Sequence, residues 1–298
     1  MQKILEIKNL TKKFGSFTAV NDISFEVEKG NVYGLLGPNG SGKSTTLGMI
    51  LNVLNPTHGT WKWFGKEGNN QSLKRIGAII ESPKFYPYLS AQKNLEIVAN
   101  IKEVPYSKID EKLELVGLLD RKKNKFAEYS LGMKQRLAIA GALLNDPEVL
   151  ILDEPTNGLD PQGIIQIREL IQKIAESGTT IILASHLLDE VEKVCTHVVG
   201  LKQGKMLFAG EVDNLNNSFG TIEIMADDQE MLMNALNQMP YFNSVSQKHK
   251  FIEAKLNQEI STSELNKMLF EKGIYISHLV NRKDSLENQF FQLIQENK

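Results

Sequence analysis

The chain has 298 residues, of which 41% are hydrophobic and 23% are charged, and its formal net charge at pH 7 is −2. This length allows one large domain or two modest ones, each with a hydrophobic core. The nearly balanced charge gives no electrostatic reason to expect a nucleic-acid partner. The single cysteine, Cys195, excludes an internal disulfide framework and suits a reducing compartment.

The sequence contains no apolar run long enough to cross a bilayer. Residues 1–7 alternate between apolar and polar side chains, which is typical of a strand and not of a signal segment. We therefore expect a cytoplasmic protein whose contact with a membrane is made through a partner.

The first predicted elements are two strands, at about residues 4–8 and 23–28, and Phe14 lies in the polar stretch between them. A large aromatic side chain in a polar loop has two explanations. It packs beneath the loop, or it offers a flat surface on which an adenine ring stacks. The residue type alone does not decide between them.

Residues 37–45 fit the phosphate-binding template Gly-x-x-x-x-Gly-Lys-Ser/Thr. A short apolar strand is predicted before them, and a helix with regularly spaced apolar residues is predicted after them. Glycines allow consecutive backbone N–H groups to curve around phosphate oxygens, and the first turn of the helix adds unpaired donors. The sequence therefore predicts a phosphate site that consists of Gly37, Pro38, Asn39, Gly40, Ser41, Gly42, Lys43, Ser44 and Thr45.

Within this loop, Lys43 is expected to reach the outer phosphates, and the Ser44 hydroxyl is expected to coordinate Mg²⁺. Further along, a strand at residues 76–80 precedes a loop rich in proline and aromatic residues that begins at Glu81. A helical pattern follows, and Ser130 is placed to cap the next helix.

Two buried strands are predicted to end in functional side chains. Four apolar residues at 149–152 precede Asp153 and Glu154, and another apolar strand ends just before Ser185 and His186. Carboxylates at the C-terminal edge of a parallel sheet, beside a phosphate loop, favour a role in binding or catalysis. His186 either plays a structural role or faces the outermost phosphate.

A polar stretch at about residues 214–220 suggests a boundary between a first domain at 1–215 and an accessory α+β domain at 220–298. The predicted order of elements after it is βαββαβ, with a closing helix near 286–295. This order indicates a ferredoxin-like module. It contains no recognisable catalytic constellation.

The phosphate loop, the Glu81 loop, the Ser130–Gly132 segment, Asp153 with Glu154, and His186 occur in one order along the chain. Together they resemble the nucleotide-binding domain of ATP-binding-cassette (ABC) transporters over about residues 1–215. The resemblance implies an α/β fold, a P-loop NTPase of the ABC type with a mixed sheet core. It also implies a helical subdomain at about 88–145, ATP and Mg²⁺ as cofactors, and ATP hydrolysis.

The same resemblance implies roles for individual residues. Phe14 would stack on adenine, with Val20 beside the ribose. Asp153 would hold Mg²⁺ together with Ser44 and Glu81. Glu154 would polarise the attacking water, and such a base is worth ~10²–10⁴-fold in rate.

Further roles concern the phosphates and a second subunit. Lys43 and His186 would act on the γ-phosphate, while Ser130, Gly132 and Asp160 would face the nucleotide of a second copy. ATP-dependent formation of a homodimer or heterodimer of ATP-binding subunits would then drive a separate transmembrane permease, with the chain held peripherally on the inner face of the cell membrane.

Two departures from the commonest family pattern point to a branch of it. Residues 130–134 read Ser-Leu-Gly-Met-Lys where Gly is usual at the second position and Gln at the fifth, and Glu81 replaces the usual glutamine. This combination resembles the branch that exports peptide antibiotics such as bacitracin and lantibiotics. The alternatives are a soluble ABC ATPase that takes no part in transport and a nucleotide-sensing regulatory module without turnover.

Overall fold

The computed structural model describes residues 2–67, 70–81, 84–212 and 220–282. By its contacts the chain divides into two compact units, Met1–Glu211 and Val212–Lys298. The predicted boundary stretch lies mostly outside the described residues, and so does the helix predicted near 286–295. Within the described ranges, no helix combines the length and the apolar character that a membrane-spanning segment needs.

The first unit alternates strands and helices along its length. Its described strands are β1 (Lys3–Phe14), β2 (Phe17–Glu28), β3 (Val32–Leu36), β4 (His58–Trp63), β5 (Lys66–Glu67), β6 (Ile76–Ile79), β7 (Val149–Asp153), β8 (Thr180–Ser185), β9 (His197–Lys202) and β10 (Lys205–Glu211). Its described helices are α1 (Lys43–Ile50), α2 (Asn70–Leu73), α3 (Ala91–Lys102), α4 (Ser107–Leu115), α5 (Leu131–Leu143), α6 (Pro161–Glu176) and α7 (Leu188–Val194), with short 3₁₀ turns at Leu119–Arg121 and Phe126–Glu128.

A six-stranded sheet in the order β10-β9-β3-β8-β7-β6 forms the centre of this unit. Strands β9, β3, β8, β7 and β6 run parallel, and β10 closes one edge antiparallel to β9. Every residue of β3, β7 and β8 is buried, as expected of parallel strands covered on both faces. Because these three strands are neighbours, the segments that follow their carboxyl ends meet at one edge of the sheet.

A second, antiparallel sheet has the order β2-β1-β4-β5. One apolar cluster joins side chains from both sheets with side chains from α1, among them Leu5, Leu35, Leu47 and Trp63. The indole Nε1 of Trp63 also donates a hydrogen bond of 2.8 Å to the carbonyl oxygen of Ile50, at the end of α1. The helix that follows the phosphate loop is therefore anchored at its C-terminal end.

The first hairpin is longer than the sequence predicts. We expected the polar stretch around Phe14 to form a loop, whereas β1 continues to Phe14 and pairs with β2 up to the Phe14–Phe17 pair. The pairing contains register shifts between Ile7 and Leu10 and on both sides of Lys12. Such irregularities interrupt the period-two pattern that identifies a strand in a sequence. Phe14 is thus a strand residue at the tip of a hairpin.

The second unit has the predicted order βαββαβ. Its described elements are β11 (Thr221–Ala226), α8 (Gln229–Asn237), β12 (Phe242–Lys248), β13 (Phe251–Leu256), α9 (Thr262–Glu271) and β14 (Ile276–Arg282). The strands form an antiparallel sheet in the order β12-β13-β11-β14, and the unit has an apolar core of its own. This strand order is that of the ferredoxin-like arrangement predicted from the sequence.

Candidate nucleotide-binding site

The phosphate loop joins β3 to α1 and depends on its glycines. Gly37, Gly40 and Gly42 have φ angles of 155°, 79° and 105°, a region that side chains rarely adopt. A Cβ atom on Gly42 would lie 2.7 Å from the carbonyl oxygen of Ala19, and one on Gly37 would collide with the carbonyl oxygen of Leu201. Both the backbone conformation and the close packing therefore require glycine in this loop.

Lys43 begins α1 and points its ammonium group back into the loop. The residue is only 5% exposed, and its Nζ donates a hydrogen bond of 2.7 Å to the carbonyl oxygen of Gly37. The same Nζ lies 3.3 Å from Oε1 of Glu154. A buried positive charge is therefore held between the phosphate loop and the end of β7, which is the place where the outer phosphates of a nucleotide are expected.

Asp153 is the last residue of β7 and is 4% exposed. Burial raises the pKa of its carboxyl group, and the nearby charge of Glu154 adds to this; the Ser44 hydroxyl and the Lys43 ammonium oppose it. Its Oδ1 atom is buried and accepts no hydrogen bond from any described residue. A buried carboxylate oxygen without a partner is costly unless a cation or donor satisfies it, so this position suits a metal ligand.

Ser44 and Asp153 together fit the requirements of Mg²⁺, which is commonly held by a few protein oxygens together with substrate phosphates. The described residues contain no group of three or more His, Cys, Asp or Glu side chains that could hold a metal on their own. Glu81 follows β6, the strand next to β7, and its side chain is 72% exposed, with Oε2 3.9 Å from Nζ of Lys84. Its charge is the smallest of the influences that raise the pKa of Asp153, and its role as a Mg²⁺ ligand stays a prediction.

Glu154 and His186 meet because β7 and β8 are neighbours. The backbone N–H of Glu154 donates to the carbonyl oxygen of Ala184 at 2.9 Å, and Glu154 leaves the strand with a φ of 49°. Its Oε2 then lies 2.8 Å from Nδ1 of His186. Both side chains are partly exposed, so a substrate can reach them. Such an arrangement would allow a histidine to orient a carboxylate that acts as a base.

Of the two residues predicted to contact adenine and ribose, Phe14 is partly exposed and Val20 is buried. Phe14 is 48% exposed at the hairpin tip, and Nζ of Lys12 lies 4.9 Å from the centre of its ring. Val20 is fully buried and packs beneath the phosphate loop, with its Cγ2 3.1 Å from where a Cβ of Gly42 would be. The stacking role of Phe14 and the ribose contact of Val20 both stay predictions.

Ser130, Gly132 and Asp160 line one cavity of about 330 Å³. Ser130 caps α5 by accepting a hydrogen bond from the N–H of Met133 at 3.3 Å, and Asp160 caps α6 by accepting one from the N–H of Gly163 at 2.9 Å. Two helix N-termini therefore border the same cavity. Unpaired N–H groups and the positive ends of two helix dipoles favour an anion there, which the charge of Asp160 partly offsets.

Lys12 was not among the residues predicted to form the site. Because it stands two residues before Phe14, the period of a strand would have placed both side chains on the same face. This inference requires that β1 extend through residue 14. The sequence pattern does not predict that extension, because the pairing of the hairpin is irregular around Lys12.

Comparison with known proteins agrees with this geometry. The family model described as "ABC transporter" matches residues 20–157. The bacitracin transport ATP-binding protein BcrA of Enterococcus faecalis is 37% identical over 302 residues, which cover 99% of this chain and 97% of that protein. The lantibiotic transport ATP-binding protein SrtF of Streptococcus pyogenes is 42% identical over 214 residues, 72% of this chain and 93% of that protein.

Among solved structures, the ATP-binding cassette MJ0796, described as a dimer in a post-hydrolysis state bound to ADP and phosphate, superposes with a TM-score of 0.63. The two sequences are 26% identical, and the match covers 70% of this chain and 99% of that one.

Proposed function

Because the chain belongs to the ABC transporter family and is an ATP-binding subunit with ATPase activity, we propose that it drives the export of peptide antibiotics or related amphiphiles through a separate membrane permease. Among the relatives that match the chain, BcrA is named for bacitracin transport and SrtF for lantibiotic transport. The observation that supports turnover, as opposed to nucleotide sensing, is the contact between Glu154 and His186 beside the phosphate loop.

ATP binding uses the backbone of the phosphate loop. The N–H groups of the loop and the N-terminus of α1 bind the phosphate oxygens. The Lys43 ammonium moves its hydrogen bonds from the carbonyl oxygen of Gly37 to the outer phosphates. This transfer also takes Lys43 away from Glu154. The Glu154 carboxylate is then free to accept a hydrogen bond from the attacking water while His186 keeps it oriented.

Ser44, Asp153 and Glu81 are the proposed Mg²⁺ ligands. When bound, Mg²⁺ neutralises charge that develops on the phosphate oxygens during transfer. Glu81 adds a negative charge where the usual glutamine has none, so replacing it should change how Mg²⁺ is coupled to turnover. If Glu81→Gln alters neither ATP turnover nor transport, this part of the proposal fails.

The site is completed by a second subunit. Ser130, Gly132 and Asp160 line a cavity of their own, and we propose that the γ-phosphate bound by one copy enters this cavity in the other. ATP then joins the two copies because its phosphates are shared ligands of both. Hydrolysis removes that shared ligand, and the two subunits separate.

The permease is proposed to receive this motion through the loop after β6, which places the chain at the inner face of the membrane. Tyr86 and Tyr88 in this loop are 49% and 68% exposed, so aromatic surface is available for contact with another protein. Residues 220–298 are proposed to form an accessory domain.

The proposal is tested by expressing the chain together with a candidate membrane permease in a bacitracin-sensitive host. The wild-type chain should raise the inhibitory concentration of bacitracin or of a lantibiotic, whereas Glu154→Gln should not. In purified form, Glu154→Gln should still bind ATP but release phosphate ~10²–10⁴-fold more slowly. Equal protection by both chains would contradict the proposal. ATP binding without phosphate release by the wild type would favour a nucleotide sensor.

A further inference from the structure

The ring of Phe14 has a cation on one side. Lys12 and Phe14 stand two residues apart on the same strand, and Nζ of Lys12 lies 4.9 Å from the ring centre. The same Nζ donates a hydrogen bond of 2.6 Å to the carbonyl oxygen of Asn55. A hydrogen bond to the backbone therefore fixes the position of the ammonium group, which also contacts the face of the aromatic ring.

Two more hydrogen bonds attach this end of β1 to the turn that follows α1. The backbone N–H of Lys13 donates to Oγ1 of Thr57 at 2.9 Å, and the N–H of Thr57 donates to the carbonyl oxygen of Thr11 at 2.7 Å. The N-terminus of α1 forms part of the phosphate site. The strand end that contains Phe14 is thus connected through α1 to the part of the molecule that binds phosphate.

We propose that Lys12 is a positioning residue for the adenine base: it occupies one face of Phe14, fixes the ring, and leaves the opposite face for the base to stack on. This inference rests on the proposed stacking role of Phe14. A cation is attracted to the negative face of an aromatic ring, and Phe14 is otherwise half exposed at a hairpin tip. A ring that is ordered before the ligand arrives loses less conformational freedom on binding.

Lys13 provides a matched control. It is adjacent in sequence, its side chain is exposed, and it enters the described network through its backbone N–H, which a side-chain substitution leaves in place. Lys12→Met removes the charge while it keeps an unbranched stem of similar length. Lys12→Arg keeps a cation that is able to contact both Phe14 and the Asn55 carbonyl oxygen.

The experiment measures binding of two ligands to the full chain by calorimetry in the presence of Mg²⁺: ATP, and inorganic tripolyphosphate, which has no base. Lys12→Met should weaken ATP roughly two- to fivefold, the range expected for a cation–π contact at an exposed site, and should leave tripolyphosphate unchanged. Lys12→Arg should restore ATP affinity, and Lys13→Met should match the wild type. In steady-state kinetics, Lys12→Met should raise KM for ATP without changing kcat.

Phe14→Ala separates failure of this inference from failure of the proposal beneath it. If Phe14→Ala weakens ATP but Lys12→Met does not, the positioning role of Lys12 is wrong and the stacking role of Phe14 stands. If Phe14→Ala leaves ATP affinity unchanged, both are wrong. Equal weakening of ATP and tripolyphosphate in Lys12→Met would also overturn the inference, because it would show a general effect on the fold.

Discussion

His186 and Glu154 form a hydrogen bond of 2.8 Å between Nδ1 and Oε2. A carboxylate that is to accept a proton from water needs a donor to hold it, and Nδ1 fills that role if it carries the ring proton, which leaves Nε2 as the other ring nitrogen. Under the proposed function, His186 would orient the base with Nδ1 and meet the substrate with Nε2.

We expect His186→Ala to lower kcat for ATP hydrolysis by about 10²–10³-fold, the usual cost of losing a preorganised polar contact in a reaction centre. ATP affinity should change far less, because the phosphate loop is untouched. Residues that act as a unit are not additive, so the double variant His186→Ala with Glu154→Gln should be little slower than Glu154→Gln alone. Steady-state phosphate release measures this, and multiplicative losses would show that the two side chains act independently.

Gly42→Ala and Gly40→Ala test whether close packing or backbone conformation limits the phosphate loop. Both glycines have positive φ, so alanine costs about 1–2 kcal/mol at either position. A Cβ on Gly42 would also lie 2.7 Å from the carbonyl oxygen of Ala19, whereas one on Gly40 meets no atom within 4 Å. Overpacking typically costs about 1–3 kcal/mol, so Gly42→Ala should bind ATP about tenfold more weakly than Gly40→Ala.

Calorimetry gives the two affinities, and circular dichroism checks that both variants are folded. Equal affinities would mean that the loop adapts to a methyl group beside Ala19.

Ser130→Ala is best compared with Ser90→Ala, because both serines cap a helix. Ser130 accepts a hydrogen bond from Met133 N–H at 3.3 Å, and Ser90 accepts one from Lys93 N–H at 3.2 Å. Each substitution should lower the free energy of unfolding by about 1 kcal/mol, and the two variants should show similar decreases in thermal midpoint. Only Ser130 lines the cavity proposed to receive a γ-phosphate, so only Ser130→Ala should lose ATPase activity. Similar activity in the two variants would argue against a shared site.

The lowered pKa of Lys102 predicts that the stability of the fold depends on pH. Burial lowers the pKa of its ammonium group from 10.5 to about 8, and its Nζ donates to the carbonyl oxygen of Ala142 at 2.8 Å and to Oδ1 of Asn145 at 2.7 Å. Between these two pH values the unfolded chain binds the proton more tightly than the folded one. The charged lysine therefore destabilises the fold at neutral pH, by up to about 3 kcal/mol, and this cost disappears as the pH rises.

The measurement is the difference in thermal midpoint between Lys102→Met and the wild type at several pH values from 7 to 10.5. The thermal midpoint of the wild type should rise relative to that of the variant as the pH increases. A difference that stays constant would show that the pKa of Lys102 is not lowered.

The sequence by itself determined the phosphate loop. The glycines, Lys43 and Ser44 stand in a fixed local order between a strand and a helix, and each of these elements has a pattern confined to its own neighbours in the chain. The same is true of β7, whose apolar residues end in two carboxylates. With the resemblance to a known family, these local patterns were enough to predict the fold class and the ATPase function.

Only the tertiary structure decided which of these residues meet. Glu154 touches His186 across 32 residues of sequence because β7 and β8 are adjacent in the sheet, and Lys43 reaches Glu154 because β3 lies on the other side of β8. Lys12 contacts Phe14 because an irregular hairpin continues past the point where its pattern fades. Strand order and bulges arise from long-range pairing and core packing, and a local sequence pattern contains no record of either.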